Sequence, residues 1–564
     1  MTPSPLSISR PVLSSSALAY RIGLARQRTA LHPMDRLDFI LMDLERPDLS
    51  SRHAHWCTGD LSGRTLEFLS AAEGMDGRRD ERLVELFERI LRQRRPSGLI
   101  GRYAAHWEAK TTAPEEHLWS ASHRLFPGLI RYFDLTNDWR ALEAAAGLGD
   151  WLLSRKDEWV KAHGDFEGCL IIFWVTEPLA GLYRLTGRRE YLDFAAMIGS
   201  GIKTLENQHS HGFMCTMRGL QLAALYTGDM SWNEKPEYFR RMIIDEQIQK
   251  ADGCVSECFP RSFRNEGCSI ADWVMMNLYA GLLNGEDEPY AVAQNSLWNA
   301  LFLNQFATGG FGHRDLSPVG YLMGPMNECW WCCTEHGGLA MTEYGRHAVT
   351  RRGETVWVNL LTPGRFALPG DDGREIVVTV STSFPAGGEA TITASGLAEG
   401  MALKVRVPET IWDARVEEQR SAGELTVRIA GRVGHWLQEY QDKVVLRYGP
   451  VVLAPMTYYW NVEGKTLEEG STVPAEYVPA SLPKGLPRLE VEADAAGRVA
   501  VSGDPVPDWS FWELGPTAPL SVEGASANVP VEFPDGTKQV LWFSPLCHAT
   551  SSISYADVPI LFRK

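Results

Sequence analysis

A change of hydrophobic period near residue 350 constrains this chain more than any other feature. Before it, segments such as ERLVELFERILRQ (81 to 93) and WRALEAAAGLGDWLL (139 to 153) repeat apolar residues every three or four positions, the period of one helix face. After it, short runs alternate apolar and polar residues, among them REIVVTVSTSF, EATITAS, ALKVRVP, ELTVRIA and DKVVLRY, with Gly, Pro and Asp between them. Helical and extended periods build different layers, so the chain reads as an all-α part followed by an all-β part.

The helical part repeats one grammar. YFDLTNDWRAL from Tyr132, LYRLTGRREYLDFA from Leu182, ALYTGDMSW from Ala224 and GLLNGEDEPYAVA from Gly281 each run from an apolar helix end through a Thr, Asn or Gly turn into another helix. Such units are αα-hairpins whose Asn or Gly supplies a left-handed cap. Their uneven spacing suits a closed ring better than a regular solenoid. The expected fold is therefore a six-hairpin α/α barrel followed by β-sandwich domains. Its 564 residues suggest three or four domains at roughly 150 residues each. We expect an N-terminal segment at 1–30 that pairs with the β part, a catalytic barrel at 31–345, a first sandwich at 346–455, and a linker with a second sandwich at 456–564.

Net charge narrows the partners. With 55 Lys and Arg against 71 Asp and Glu the chain carries −16, which repels nucleic acid and anionic membrane surfaces. No apolar run approaches the roughly 20 residues of a membrane span. The opening MTPSPLSISRPVLSSSALAYRIG shows no basic region followed by an apolar one, so a cytoplasmic location is expected. Oligomeric state is left open.

Six of the 10 cysteines, Cys254, Cys258, Cys268, Cys329, Cys332 and Cys333, crowd into one stretch, whereas Cys57, Cys169, Cys215 and Cys547 are scattered. In a reducing compartment such crowding points to metal or catalysis rather than to disulfides. Glu266 and Cys268 lie two apart and Cys332 and Cys333 are adjacent; together they form a candidate four-ligand site for Zn²⁺. Cys254, Cys258 and Cys329 read as small buried hydrophobes. Asp60, ahead of a helical run, reads equally as a substrate-hydroxyl ligand and as a helix cap.

Glu-Gly-Cys at 266 to 268 followed by Cys332-Cys333 resembles the Glu-x-Cys and Cys-Cys elements of glycoside hydrolase family 127, the β-L-arabinofuranosidase family. Ser122-His123 before YFDLTND, His211 in HGFMCTMRGLQLAALYTGD, SLWNALFLNQ, VWVNLLTPG and LRYGPVVLAP resemble further stretches of that family, so the likeness spans most of residues 50 to 455. The resemblance implies an α/α barrel with β-sandwiches and a retaining glycosidase that uses a zinc-bound cysteine as nucleophile. On that basis Glu266, Cys268, Cys332 and Cys333 would hold the zinc and Cys332 would attack. Glu257, in Ser-Glu-Cys-Phe, would be the acid/base, with Glu335 its rival. His123 and His211 would bind sugar, and Trp330 and Trp331 would wall the pocket.

Two departures point away from strict β-L-arabinofuranosidase specificity. Gly310-Phe311-Gly312-His313-Arg314 replaces an aromatic-rich segment, with His313 standing in for a pocket tyrosine, and Thr-Glu-His-Gly-Gly follows Cys333. The leading expectation is thus a zinc-dependent retaining exo-glycosidase acting on a terminal, furanose-type sugar of an oligosaccharide or glycoside. A polysaccharide lyase on the same barrel and a non-catalytic carbohydrate-binding protein with structural zinc are the alternatives.

Overall fold

The computed structural model of the chain describes residues 6–31, 36–45, 59–101, 124–157, 174–260, 262, 264–316, 321–329, 332–371, 373–421, 423–455, 485–501, 522, 524–548 and 558–564. Its longer helices are α1 (Ala17–Leu31), α2 (Asp60–Asp76), α3 (Glu81–Leu91), α4 (Leu125–Thr136), α5 (Trp139–Ser154), α6 (Thr176–Thr186), α7 (Arg189–Gly201), α8 (Ser210–Thr227), α9 (Ser231–Asp245), α10 (Gly267–Asn284), α11 (Glu288–Asn295) and α12 (Cys332–His347).

The hairpin turns share a chemistry that explains the repeated grammar. Asn137, Gly187 and Gly228 each take a left-handed conformation (φ 57°, 72° and 73°) just beyond α4, α6 and α8. The preceding Thr136, Thr186 and Thr227 donate back to the carbonyls of Tyr132, Leu182 and Ala223 and accept from the backbone N–H of Asp138, Arg188 and Asp229. One threonine thus ends a helix and sets the turn into the next. Gly285 closes α10 in the same left-handed way.

Six helices pack in sequence: α2 on α4, α4 on α6, α6 on α8, α8 on α10, α10 on α12, and α12 back on α2. Each has a second helix beside it, namely α3, α5, α7, α9, α11 and α1 in the same order, the last against α12. Residues of α10 are buried from Gly267 to Leu283, and those of α8 from Ser210 to Ala224. Helices buried all round are usually apolar throughout. Here they carry Arg64, Arg218, Asp272, Glu335 and His336, all buried, and those residues mark where chemistry sits.

The helical half also contains strands, which the reading of an all-α first part did not anticipate. β3 (Arg264–Glu266), β4 (Phe311–Leu316) and β5 (Tyr321–Cys329) form a ribbon in which Glu266 lies opposite His313 and Phe311 opposite Cys329. These runs are short and lack apolar alternation, so period analysis passes over them. At the N-terminus, β1 (Ser7–Ile8) pairs with Val349–Arg352, and β2 (Arg10–Leu13) with Gly364–Pro369.

Beyond α12 the chain is strand. A six-stranded sheet runs from Trp412–Ser421 through Glu424–Arg432, Ala390–Ser395, Glu375–Thr382 and Gly364–Pro369 to Arg10–Leu13. Val427, Ile392 and Val380 lie in register across it and are buried, the inward face of the alternation. That face joins the helices in one apolar core. A seven-stranded sheet combines His435–Tyr440, Lys443–Tyr448 and Val451–Pro455 with Lys538–Pro545, Ala527–Glu532, Arg488–Leu489 and Phe562–Arg563, so it draws strands from both sides of residue 455. Its core is separate. Residues 456–484, at the start of the segment read as linker and second sandwich, lie outside the described residues. Among the described residues no helix is long and apolar enough to cross a membrane.

Candidate metal centre and active site

β3 ends where α10 begins. Glu266 is extended immediately before the helix, Cys268 sits in its first turn, and Cys332 and Cys333 open the neighbouring α12. The four side chains therefore meet at two adjacent helix N-termini, where unpaired N–H groups and the helix dipoles favour anions. Gly267 permits the approach, since a Cβ there would lie 2.8 Å from Asn304 Oδ1 and 3.1 Å from Cys333 Cβ.

Cys268 Sγ lies 3.8 Å from Cys333 Sγ, and Cys332 Sγ lies 3.9 Å from Cys333 Sγ. Glu266 Oε1 is 3.8 Å from each of the Cys332 and Cys333 sulfurs. None of the four residues is more than 5% exposed. Bonds of about 2.3 Å to sulfur at tetrahedral angles separate ligands by about 3.8 Å. These four separations are close to a tetrahedron's edges, all the ligand atoms lie within 4.8 Å of one another, and the set can hold a metal ion.

Protonation favours the same reading. Burial pushes the Cys268 and Cys333 thiols well above their ordinary value. Burial also raises the Glu266 carboxyl, but His209, whose Nε2 stands 3.4 Å from Glu266 Oε2, together with His313 and Arg64 outweighs it and brings the group down to about 2. The carboxylate is thus an anion from the start. A cation placed among the thiols would displace their protons to water.

Glu257 stands beside this set. Its carboxylate, His209 and Glu266 bring ligand atoms within 4.8 Å of one another, and Arg264 Nε donates to Glu257 Oε2 at 3.0 Å. Burial, then the charge of Glu266, hold Glu257 above the ordinary carboxylate value, with Arg264 opposing them. Its side chain remains 21% exposed. Glu335 is buried in the packing of α12 on α2, where Thr65 Oγ1 donates to its Oε1 at 3.5 Å.

A buried polar network supports the thiols from below. His211 Nδ1 bonds Asp272 Oδ2, His336 Nε2 bonds Asp272 Oδ1 at 2.7 Å, and Arg218 bonds Asp272 and Glu177. Arg64 donates to Asp60 Oδ1 at 2.9 Å, faces His211 Nε2 at 2.9 Å, and lies 3.9 Å from Cys268 Sγ. Arg124 also reaches His211 Nε2 and stacks over Trp174. Burial holds His211 well below its ordinary value, with Asp272 opposing and Arg124 assisting, so the ring is neutral. His211, Cys215, Asp272 and His336 also satisfy metal-ligand spacing. With guanidiniums from Arg64, Arg124 and Arg218 in contact, this set is an ion-pair network rather than a cation site.

Asp60 is the first residue of α2, 2% exposed, and its carboxylate pairs with Arg64 and Arg124. His313 is buried on β4, with Nδ1 2.8 Å from Cys329 Sγ and Arg264 Nη2 2.8 Å from Nε2. Cys254 is buried, as read from the sequence; Cys258 is exposed, and Cys329 is buried but bonded to His313. His123, Trp330 and Trp331 lie outside the described residues. Sequence reasoning missed His209, Arg64, Asp272 and His336. The signal was available for three of them: Arg64 follows Asp60 by four residues, Asp272 follows Cys268 by four, and His336 follows Cys332 by four, each on a shared helix face. A cavity of about 610 Å³ lined by Arg131, Arg184, Tyr226 and Tyr279 lies toward the C-terminal ends of these helices, away from the thiols.

A ring of helices joined to β-sheets is an architecture found among solved glycoside hydrolases. The fold is that of the family 127 β-arabinofuranosidases. One solved β-arabinofuranosidase of family 127 covers 99% of this chain with 98% of its own, at TM-score 0.68 and 14% identity. A family 127 β-L-arabinofuranosidase from Geobacillus stearothermophilus gives 98% and 99%, with the same TM-score and identity. A third structure, described as a glycoside hydrolase, gives TM-score 0.63 at 12% identity over 99% of this chain and 98% of its own. No protein-family model and no curated protein matches the sequence.

Proposed function

We propose that the chain is a zinc-dependent retaining exo-glycosidase that removes a terminal, furanose-type sugar through a glycosyl-cysteine intermediate. The observation that carries this reading is the close buried grouping of Glu266, Cys268, Cys332 and Cys333 with the partly exposed Glu257 beside it. The likeness of fold to β-arabinofuranosidases supports it. The successive packing of paired helices is read as a six-hairpin α/α barrel that carries the site at one end. The sheets that follow are read as sandwiches. Carbohydrate is the partner in this reading.

Zinc held by the four ligands would keep their sulfurs deprotonated at neutral pH. Cys332 is then a thiolate able to attack the anomeric carbon as the bond to the leaving oxygen breaks. Glu257, raised by burial and by Glu266, is protonated over a wider pH range than an ordinary carboxyl and donates its proton to that oxygen. In the second half-reaction the Glu257 carboxylate takes a proton from water, whose oxygen attacks the same carbon and releases Cys332. Two displacements retain configuration, with a sulfur in the place of one carboxylate. Arg264 holds Glu257 in place, and the neutral His211, saturated by Asp272 and the arginines, belongs to the frame that positions Arg64 against Cys268.

The test is hydrolysis of aryl furanosides, aryl β-L-arabinofuranoside among them, with the first-formed sugar anomer followed by NMR. Retained configuration is expected. An inverted product, or an unsaturated uronic acid product from a polyuronate, would contradict the reading.

A further inference from the structure

Cys329 is a further cysteine beside the four-ligand set, and its surroundings form a set of their own. Its sulfur lies 2.8 Å from His313 Nδ1, and ligand atoms of His313, Cys329 and Cys333 all fall within 4.8 Å of one another. The three residues are 8%, 1% and 0% exposed. The placement follows from the ribbon register: β3 sets Glu266 opposite His313, and β4 sets Phe311 opposite Cys329, so the second set stands directly beside the first. Cys333 belongs to both.

We propose that His313, Cys329 and Cys333 form a second position for a soft divalent cation, with the Cys333 sulfur bridging it to the ion at Glu266, Cys268 and Cys332. This rests on the first site being a metal site. Thiolate and imidazole are the donors that zinc-like ions prefer over magnesium or calcium. Charge argues in the same direction. One divalent ion among three thiolates and a carboxylate leaves a net charge of about −2, which burial penalises. A second divalent ion offsets that charge and lets Cys329 ionise as well. The guanidinium of Arg264 now lies against His313, at 3.1 Å from Nδ1 and 2.8 Å from Nε2. Its side chain is 51% exposed, so the Nη2 end can turn off the imidazole when a cation takes that ring while Nε stays paired with Glu257.

The experiment strips the purified full-length protein of metal under reducing conditions and titrates it with Zn²⁺ against a chromophoric chelator, then with Co²⁺ followed by thiolate-to-metal absorption. Two equivalents are expected for the natural chain, falling to one in Cys329→Ser and in His313→Ala. One equivalent in the natural chain, or a second that survives both substitutions, would overturn the proposal. X-ray absorption on protein loaded with two equivalents of zinc needs no variant: a zinc–zinc vector with mixed nitrogen and sulfur ligation is expected, and its absence overturns the bridge. Absence of any bound metal contradicts the first site and this one together. A single ion lost in Cys268→Ser but kept in Cys329→Ser contradicts only the second position.

Discussion

Cys268 and Cys333, 65 residues apart in the chain, bring their sulfurs to 3.8 Å because each sits in the first turn of one of two neighbouring helices. The pair joins the start of α10 to the start of α12, and with Glu266 and Cys332 it gathers one carboxyl and three thiol groups where little water reaches.

A metal ion held by this set would add to folding stability. Removing the ion with a chelator is expected to lower the melting temperature, and added zinc should restore it, since a ligand held only by the native state stabilises that state. Glu266→Gln and Cys268→Ser should each bind less zinc by elemental analysis and melt near the metal-free protein. Unchanged melting on metal removal contradicts this.

Asp272 is the anion on which Arg218, His211 and His336 converge. Asp272→Ala leaves a guanidinium buried without its carboxylate and should cost about 3–5 kcal/mol in denaturant unfolding. Glu335→Gln keeps both shape and polarity and should cost under about 1.5 kcal/mol, while leaving turnover of a good substrate largely intact. A large loss of turnover in Glu335→Gln with normal folding would return it to the acid/base role.

Acid stability depends on Glu343. This buried carboxylate accepts from Arg131 at 2.9 Å and Arg346 at 2.6 Å, and although burial raises it, the guanidiniums hold it well below its ordinary value of 4.5. Because the folded state lowers this pKa, its stabilisation is present in full above about pH 4.5 and is lost as pH falls below that. Glu343→Gln should lower stability at neutral pH and make the acid limb of the unfolding curve shallower. An unchanged acid limb counts against the pairing.

The pH profile of turnover should follow Glu257. A general acid works in its protonated form, so kcat/KM is expected to fall as pH rises through the elevated Glu257 value. Arg264 opposes that elevation, so Arg264→Gln should move the alkaline limb upward. Glu257→Gln should lower turnover by about 10²–10⁴-fold, less for a substrate with a good leaving group. A limb that stays in place in Arg264→Gln argues for another acid.

Much of this site is legible in the sequence, for a physical reason. Thiols and a carboxyl at short spacing, placed where helices start, announce themselves locally, and so does the change of period, since α12 ends at His347 and strand begins at Val349. The threonine turns are legible too, because the residues that close each turn are adjacent in the chain. Arg218 is harder to read: a charged residue inside a helix buried all round has no local cue, and its contact with Asp272 spans 54 positions. The ribbon of β3 to β5 leaves no periodic trace, yet it sets His313 against Glu266 and Cys329 against Phe311. Cys329 looked like a small hydrophobe because its histidine partner is supplied only by that ribbon.

The claim that a thiolate of this set performs the displacement is tested most directly by covalent trapping. A cyclophellitol-type inhibitor of furanoside configuration, followed by intact-mass analysis and peptide mapping, should leave one adduct on Cys332, and Cys332→Ser should remain unlabelled. An adduct on Glu257 or Glu335, or undiminished labelling of Cys332→Ser, would contradict it.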